Sequence, residues 1–343
     1  MDSRIPTRMG DGSLAWMSRS EIRADLEAGT QDGAKRAKVP ALSESELDHL
    51  LDIFASTVRF TAVDLGHEVV LSCDGSGNGD LPRLDELYSY QSHLGADIVE
   101  LFGMDYSFKA LKNFINHEAN LMKEAQHRLV APVQYGAMPN LGLYSQPDGP
   151  FPNWSELLPL GKIDEARAAQ EEAVEHAVAD MIFVAEAMIE AGADQIDFDT
   201  VGGPGDADFL AALRAAEHIR AHYPDIGIEM GMAGEFVLGM HGELTHRGTR
   251  LAGLWPAEQM KVARKAGVTM FGPAVNVSTR KSQAWNAARA ITIVKPCMAE
   301  AEIPIHMNAG MGVGSVPMTP WVPVDACSRA SKALVELLGL DGL

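Results

Sequence analysis

AGADQIDFD (191–199) and KAGVTMFG (265–272) are the stretches that decide how this chain folds. Each places a glycine just past a helical pattern and a short apolar strand directly after it. The first closes a long amphipathic run over 163–191, in which Val174, Val178, Met181, Ala185 and Met188 recur at steps of three and four. A glycine at that point takes the left-handed conformation that ends a helix, so Gly192 and Gly267 read as stops. Working outward, the same grammar predicts strands at 96–102, 128–135, 194–199, 226–230, 268–272 and 303–307. Helices at 163–191, 207–222, 256–266, 284–301 and 324–338 fall between or after them. The strands are continuous apolar runs, as expected for parallel strands covered on both faces. Alternating strand and helix define an α/β fold. The repeated helix–glycine–strand unit favours a (β/α) TIM-type barrel, whose function sits at the carboxyl ends of its strands. Only six candidate strands are present, so the barrel is expected to lack its final strands.

The barrel is assigned to residues 84–343, incomplete, and residues 1–83 to an N-terminal extension of helices and short strands. Ser18 with Glu21, and Ser43 with Glu46, have capping-box spacing and open helices over 19–28 and 44–56, the first ending at Gly29. Residues 66–82 read as short strands and a loose loop, DGSGNGDLP.

Composition narrows the function. The net charge of −19 is spread without a basic patch, which disfavours nucleic acid and anionic membranes as partners and allows a cationic or neutral substrate. No apolar run reaches the length of a membrane span, and the first residues lack a signal-peptide core. Cys73, Cys297 and Cys327 have no paired spacing and read as reduced thiols. A cytoplasmic protein, and a homo-oligomer, is expected.

If the barrel is right, the strand ends point polar groups into one mouth: Gln134 and Tyr135, then Asp197, Asp199 and Thr200, then Glu229, Asn276, His306 and Asn308. Such a pocket suits an ammonium or amine. Burying carboxylates is costly unless they are paired, hydrogen bonded or protonated, so their concentration argues for a task, and Glu229 and Asp199 are the expected catalytic groups. Gln134, Tyr135, Asp197, Asn276, His306 and Asn308 are the expected substrate contacts. Asp206 and Asp208 read as helix-start caps. His241 and Glu243, two apart, read as structural rather than as metal ligands, and no metal is expected; the rival is zinc held by His241, Glu243 or His306 in a barrel lyase or methyltransferase. VGGPGDAD (201–208) has no Lys or Arg for a phosphate, and AGMGVGSVP (309–317) is separated from the next helix by prolines, which argues against a dinucleotide loop.

Longer strings carry a resemblance. TRMGDGS (7–13), EIRADL (21–26), APVQYGAMPNLGLYSQPDGP (131–150), DFDTVGGPGDADFLAAL (197–213), EMGMAGEFVLGMHGEL (229–244) and GVTMFGPAVN (267–276) resemble the dimethylamine:corrinoid protein methyltransferases over nearly the whole chain. That resemblance implies methyl transfer from dimethylamine to the Co(I) corrinoid of a cognate corrinoid protein, in methanogenesis from methylamines. It implies no directly bound cofactor, but a pyrrolysine encoded by an in-frame amber codon and expected just after Leu343. On that expectation the chain stops at the amber position and, alone, lacks the reactive imine and is inactive. A noncatalytic subunit that only binds the corrinoid protein is the alternative from another class.

Overall fold

The computed structural model describes residues 4–56, 99–100, 133–137, 141–199, 201, 205–319 and 322–343. In chain order the elements are β1 (Ile5–Arg8), β2 (Leu14–Met17), α1 (Arg19–Ala37), α2 (Glu44–Phe54), β3 (Val99–Glu100), β4 (Val133–Ala137), α3 (Trp154–Leu157) and α4 (Ile163–Glu190). There follow β5 (Gln195–Phe198), α5 (Asp206–His222), β6 (Gly227–Ala233), β7 (Thr245–His246), β8 (Thr249–Arg250), α6 (Pro256–Lys265), β9 (Met270–Pro273), α7 (Gln283–Ala299) and α8 (Val324–Leu338). The described residues fall into two compact units, one drawn from 4–56, 99–100 and 273–343 and the other from 133–272.

The second unit is the α/β part. Its strands lie in the order β4-β5-β6-β9, with β4–β5 and β5–β6 parallel. Both glycine stops form as the sequence predicts. After α4, Gly192 has φ 100°, and Gly192 and Ala193 donate to the carbonyls of Ile189 and Met188. After α6, Gly267 has φ 98°, and Gly267 and Val268 donate to Arg264 and Ala263 in the same way. Both are Schellman closures, which turn the chain straight into a strand. Along α4, Val174, Met181 and Ala185 are buried and Val178 and Met188 half-buried, so the apolar stripe read from spacing is the packed face.

The structure confirms the α/β class; among the described residues the parallel sheet stays open, and no closed barrel is seen. The strand expected at 303–307 is reduced to two bridging residues, Ile305 and His306, the latter paired in parallel with Gly342. The carboxylate of Asp341 takes the Ile305 N–H (2.9 Å) there and limits the ladder. Of the strand expected at 96–102, only Val99–Glu100 is described; the start of the one expected at 128–135 and the loop at 66–82 lie outside the described residues.

In the first unit both capping boxes are present, Ser18 with Glu21 and Ser43 with Glu46. The helix expected to end at Gly29 instead runs to Ala37 and is closed by Lys38 in the left-handed conformation. Gly29 is there for packing. A Cβ at 29 would lie 2.2 Å from the Trp285 carbonyl oxygen, so its absence lets α1 press on α7. Around that contact the Thr30 and Thr292 hydroxyls bond at 2.8 Å, and buried Arg289 donates to Asp32 (2.9 Å). The TRMGDGS string is the β1–β2 hairpin, tied in by Gly10 N–H to the Lys281 carbonyl (2.7 Å) and by Arg8 to Asp325 (3.1 Å). Gly10 thus serves the hairpin's seat on the 278–281 segment, where a Cβ would lie 2.2 Å from the Ser278 carbonyl oxygen.

Candidate functional site

Side chains alternate along a strand, so a sheet sorts its residues onto two faces. On one face of β5 and β6, Ile196, Phe198, Ile228 and Met230 are fully buried and form core, with α4 packed against β5. The other face carries Gln195 and Asp197 of β5 with Gly227, Glu229 and Gly231 of β6. The strands expected to be apolar throughout are therefore apolar on one side only.

Asp197 and Glu229 are register partners and are both buried, at 8% and 2% exposure. Gly231 donates its N–H to Asp197 Oδ1 (3.1 Å), and Gln195 donates Nε2–H to Glu229 Oε2 (3.1 Å). Neither donor carries a charge, so neither cancels one. Gly231 also leaves the room the carboxylate needs: a Cβ there would lie 2.7 Å from Asp197 Oδ1. On the far side of β5, the β4 register pairs Gly136 with Asp197, Gln134 with Gln195 and Tyr135 with Ile196.

This revises how the site is built. Glu229 is the third residue of a seven-residue strand that continues to Ala233, and Asp197 lies inside β5, so neither ends its strand as expected. The glycines and small residues after Glu229 extend the ladder instead of breaking it. Asp199, half-buried, is the acid that leaves the end of β5. The side chains of Gln134 and Tyr135, and Thr200 entirely, lie outside the described residues. Asn276, His306 and Asn308 belong to the first unit. Asn276 is exposed, its carbonyl accepting from Arg289 (3.3 Å) and its backbone bridging Val313. His306 and Asn308 are half-buried, and the Asn308 N–H goes to the Pro273 carbonyl (3.3 Å).

The helix-start acids do more than cap. Asp206 is fully buried and accepts the N–H groups of His241 (2.9 Å) and Gly242 (2.7 Å). Asp208 accepts the N–H of Leu141 (2.8 Å). Burial pushes its carboxyl up to about 7, against the downward pull of that bond and with an upward contribution from the Asp206 charge. Sequence reading missed this role because the partners lie 35 and 67 residues away. It also missed Gln195, although the strand period alone puts residue 195 beside Asp197.

His241 is spoken for. Its Nδ1 accepts the Glu243 N–H (3.3 Å), its Nε2 bonds Glu171 (2.8 Å), and Glu243 pairs with Arg167 (3.0 Å). Among the described residues no group of three or more His, Cys, Asp or Glu side chains could hold a metal ion. No helix among them is long and apolar enough to cross a membrane.

A parallel sheet that buries neighbouring acids on one face, with polar loops at its carboxyl ends, defines an α/β protein and makes that face the candidate site. A family model for dimethylamine methyltransferases matches residues 3–343, and the chain belongs to that family. It is a methyltransferase of methylamine metabolism. The match takes in the N-terminal hairpin and helices together with the α/β part, so both are features of one family.

Proposed function

We propose that the chain takes dimethylamine as its ammonium ion on the Asp197/Glu229 face and serves its demethylation, the methyl going to the Co(I) corrinoid of a partner protein. The observation that carries this reading is the buried, cross-strand pairing of the two carboxylates beside a glycine. Dimethylammonium has two N–H donors and a positive charge, which suit two adjacent carboxylates that also accept from a side-chain amide and a backbone N–H.

Methyl transfer from an amine requires a positive nitrogen at the moment the carbon–nitrogen bond breaks, so that a neutral amine departs; an uncharged nitrogen would have to leave as an amide anion, a very poor leaving group. Groups prearranged around that charge lower the barrier more than groups that must reorganise. Glu229 is locked by Gln195 and Asp197 by Gly231, so both are prearranged to hold the nitrogen's charge. Asp199, just past the strand and half-buried, is placed to exchange a proton between the amine and solvent. The residues present fit an amine held in this way beside an electrophile. The pyrrolysine that the family resemblance implies would supply that electrophile, an imine carbon, when present. Gln134 and Tyr135, on the neighbouring strand β4, would orient the substrate, and the helix–glycine–strand repeats support a (β/α) barrel as the frame.

The test is titration of the protein with dimethylammonium chloride, paired with a dimethylamine-dependent methylation assay on Co(I) corrinoid protein using a form that carries the electrophile. Asp197→Asn and Glu229→Gln are expected to weaken binding and to lower methylation by about two orders of magnitude or more. Unchanged binding and rate in both variants would remove the reading.

A further inference from the structure

The first turn of α5 carries two buried acids, neither of which faces solvent: Asp206 is fully buried and Asp208 is 4% exposed. Buried carboxyl groups are expensive, so what they hold matters. Asp206 holds the loop that follows β6. Its carboxylate accepts from His241 and Gly242, while its own N–H donates to the Leu238 carbonyl (2.8 Å). The same loop is fastened from α4, where Arg167 donates to the His241 carbonyl (3.1 Å) and Glu171 meets the His241 ring. Asp208 holds the other neighbour. Its Oδ1 takes the N–H of buried Leu141, at the head of the 3-10 turn Leu141–Tyr144 that follows β4. A further bond joins the connections themselves, Gly234 N–H to the Val201 carbonyl (2.8 Å).

The topology gives this arrangement its meaning. The segment at 141 leaves the carboxyl end of β4, α5 begins beyond the carboxyl end of β5, and the 238–242 loop lies beyond the carboxyl end of β6. All three meet at the end of the sheet where Asp199 leaves β5. We propose that Asp206 and Asp208 are positioning residues for the substrate site: from one helix start they set the loops on either side of β5, and so fix the rim around the amine. The inference rests on the reading of the Asp197/Glu229 face as the dimethylamine site. Neither acid touches the substrate; each acts through a backbone N–H. The chemistry of the two differs. Asp208 uses one oxygen on one N–H, a task that an asparagine Oδ1 performs equally well. Asp206 uses both oxygens on two N–H groups, and an asparagine would set its NH2 against one of them.

The experiment is amide hydrogen exchange on the full chain, run together with dimethylammonium titration, for Asp208→Ala, Asp208→Asn, Asp206→Ala and Asp206→Asn. Asp208→Ala is expected to speed exchange at Leu141 by about tenfold or more, the loss of one buried hydrogen bond. It should weaken dimethylammonium binding by a similar factor, and Asp208→Asn should restore both. Asp206→Ala should act likewise at His241 and Gly242, with Asp206→Asn giving only partial rescue. If Asp208→Ala does not fold, Asp208→Val, smaller than leucine and without an acceptor, takes its place. Wild-type exchange at Leu141 in the acceptor-free variant would overturn the proposal, as would faster exchange with undiminished dimethylammonium affinity. Failure of the wild-type protein to bind dimethylammonium would instead remove the functional reading, and the tethers would stand or fall on exchange alone.

Discussion

Asp197 and Glu229 sit opposite each other in the parallel β5–β6 register, and their hydrogen bonds run crosswise: Asp197 takes the N–H of Gly231, and Glu229 takes the side-chain amide of Gln195. Each partner is two residues along the opposite strand, the spacing that returns to the same face. The pair therefore holds a fixed separation set by the sheet, not by a flexible loop. A ligand that engages both acids must match that separation, which favours a compact ion over an extended one.

Replacing Glu229 with glutamine keeps the size and removes the charge. The variant loses its bond from Gln195 in one amide orientation and its attraction for a cation in either. Dimethylammonium affinity is expected to fall by about 10- to 100-fold, roughly 1.4 to 2.8 kcal/mol. Calorimetric titration checks this, and an affinity equal to wild type would place the ammonium elsewhere.

Gly231→Ala tests the room beside Asp197. The new methyl would lie 2.7 Å from Asp197 Oδ1 and 3.2 Å from its Cγ, so the carboxylate must turn away. Overpacking of this kind costs about 1 to 3 kcal/mol. Both the melting temperature and dimethylammonium affinity should drop. A drop in stability with binding intact would show that Asp197 is not a contact of the ammonium.

Asp208 links stability to pH. Its ordinary value is 3.8 and the folded value is about 7, so the folded chain binds the proton more tightly than the unfolded chain. The stability it contributes is fully present below pH 3.8, declines as pH rises, and is lost by about pH 7, on the order of 4 kcal/mol across that window. Asp208→Asn does not titrate and keeps the Leu141 bond, so its stability relative to wild type should grow between pH 4 and about 8. Urea unfolding at the two ends of that range measures it. A difference that stays flat with pH would mean that Asp208 titrates normally.

Gly29→Ala sets two effects against each other. Alanine favours a helix over glycine by about 1 kcal/mol. Here the added Cβ would meet the Trp285 carbonyl oxygen at 2.2 Å, backbone that has no rotamer to yield, and α1 must lift from α7. Packing should win, with a net loss of up to about 2 kcal/mol. Thermal melting decides it; a stabilised variant would show that the α1–α7 contact tolerates separation.

Much of this molecule is local and therefore legible in its sequence. Capping boxes at Ser18 and Ser43 and helix stops at Gly192 and Gly267 depend on residues three to five apart, and each forms as read. Long strings of residues carried the family resemblance, whereas β5 and β6, read as apolar on both faces, gather their acids and glycines on one face. What the sequence could not supply was register and partnership. Whether Glu229 ends a strand or stands inside one is settled by how far β6 pairs. Whether Gly29 stops a helix or seats one depends on Trp285, 256 positions later. Asp206 and Asp208 looked like local caps and hold loops from two other strands. Backbone hydrogen bonding within a few residues is encoded by neighbours, whereas the company a buried carboxylate keeps is fixed only when distant segments are packed around it, because burial is what makes its partner obligatory.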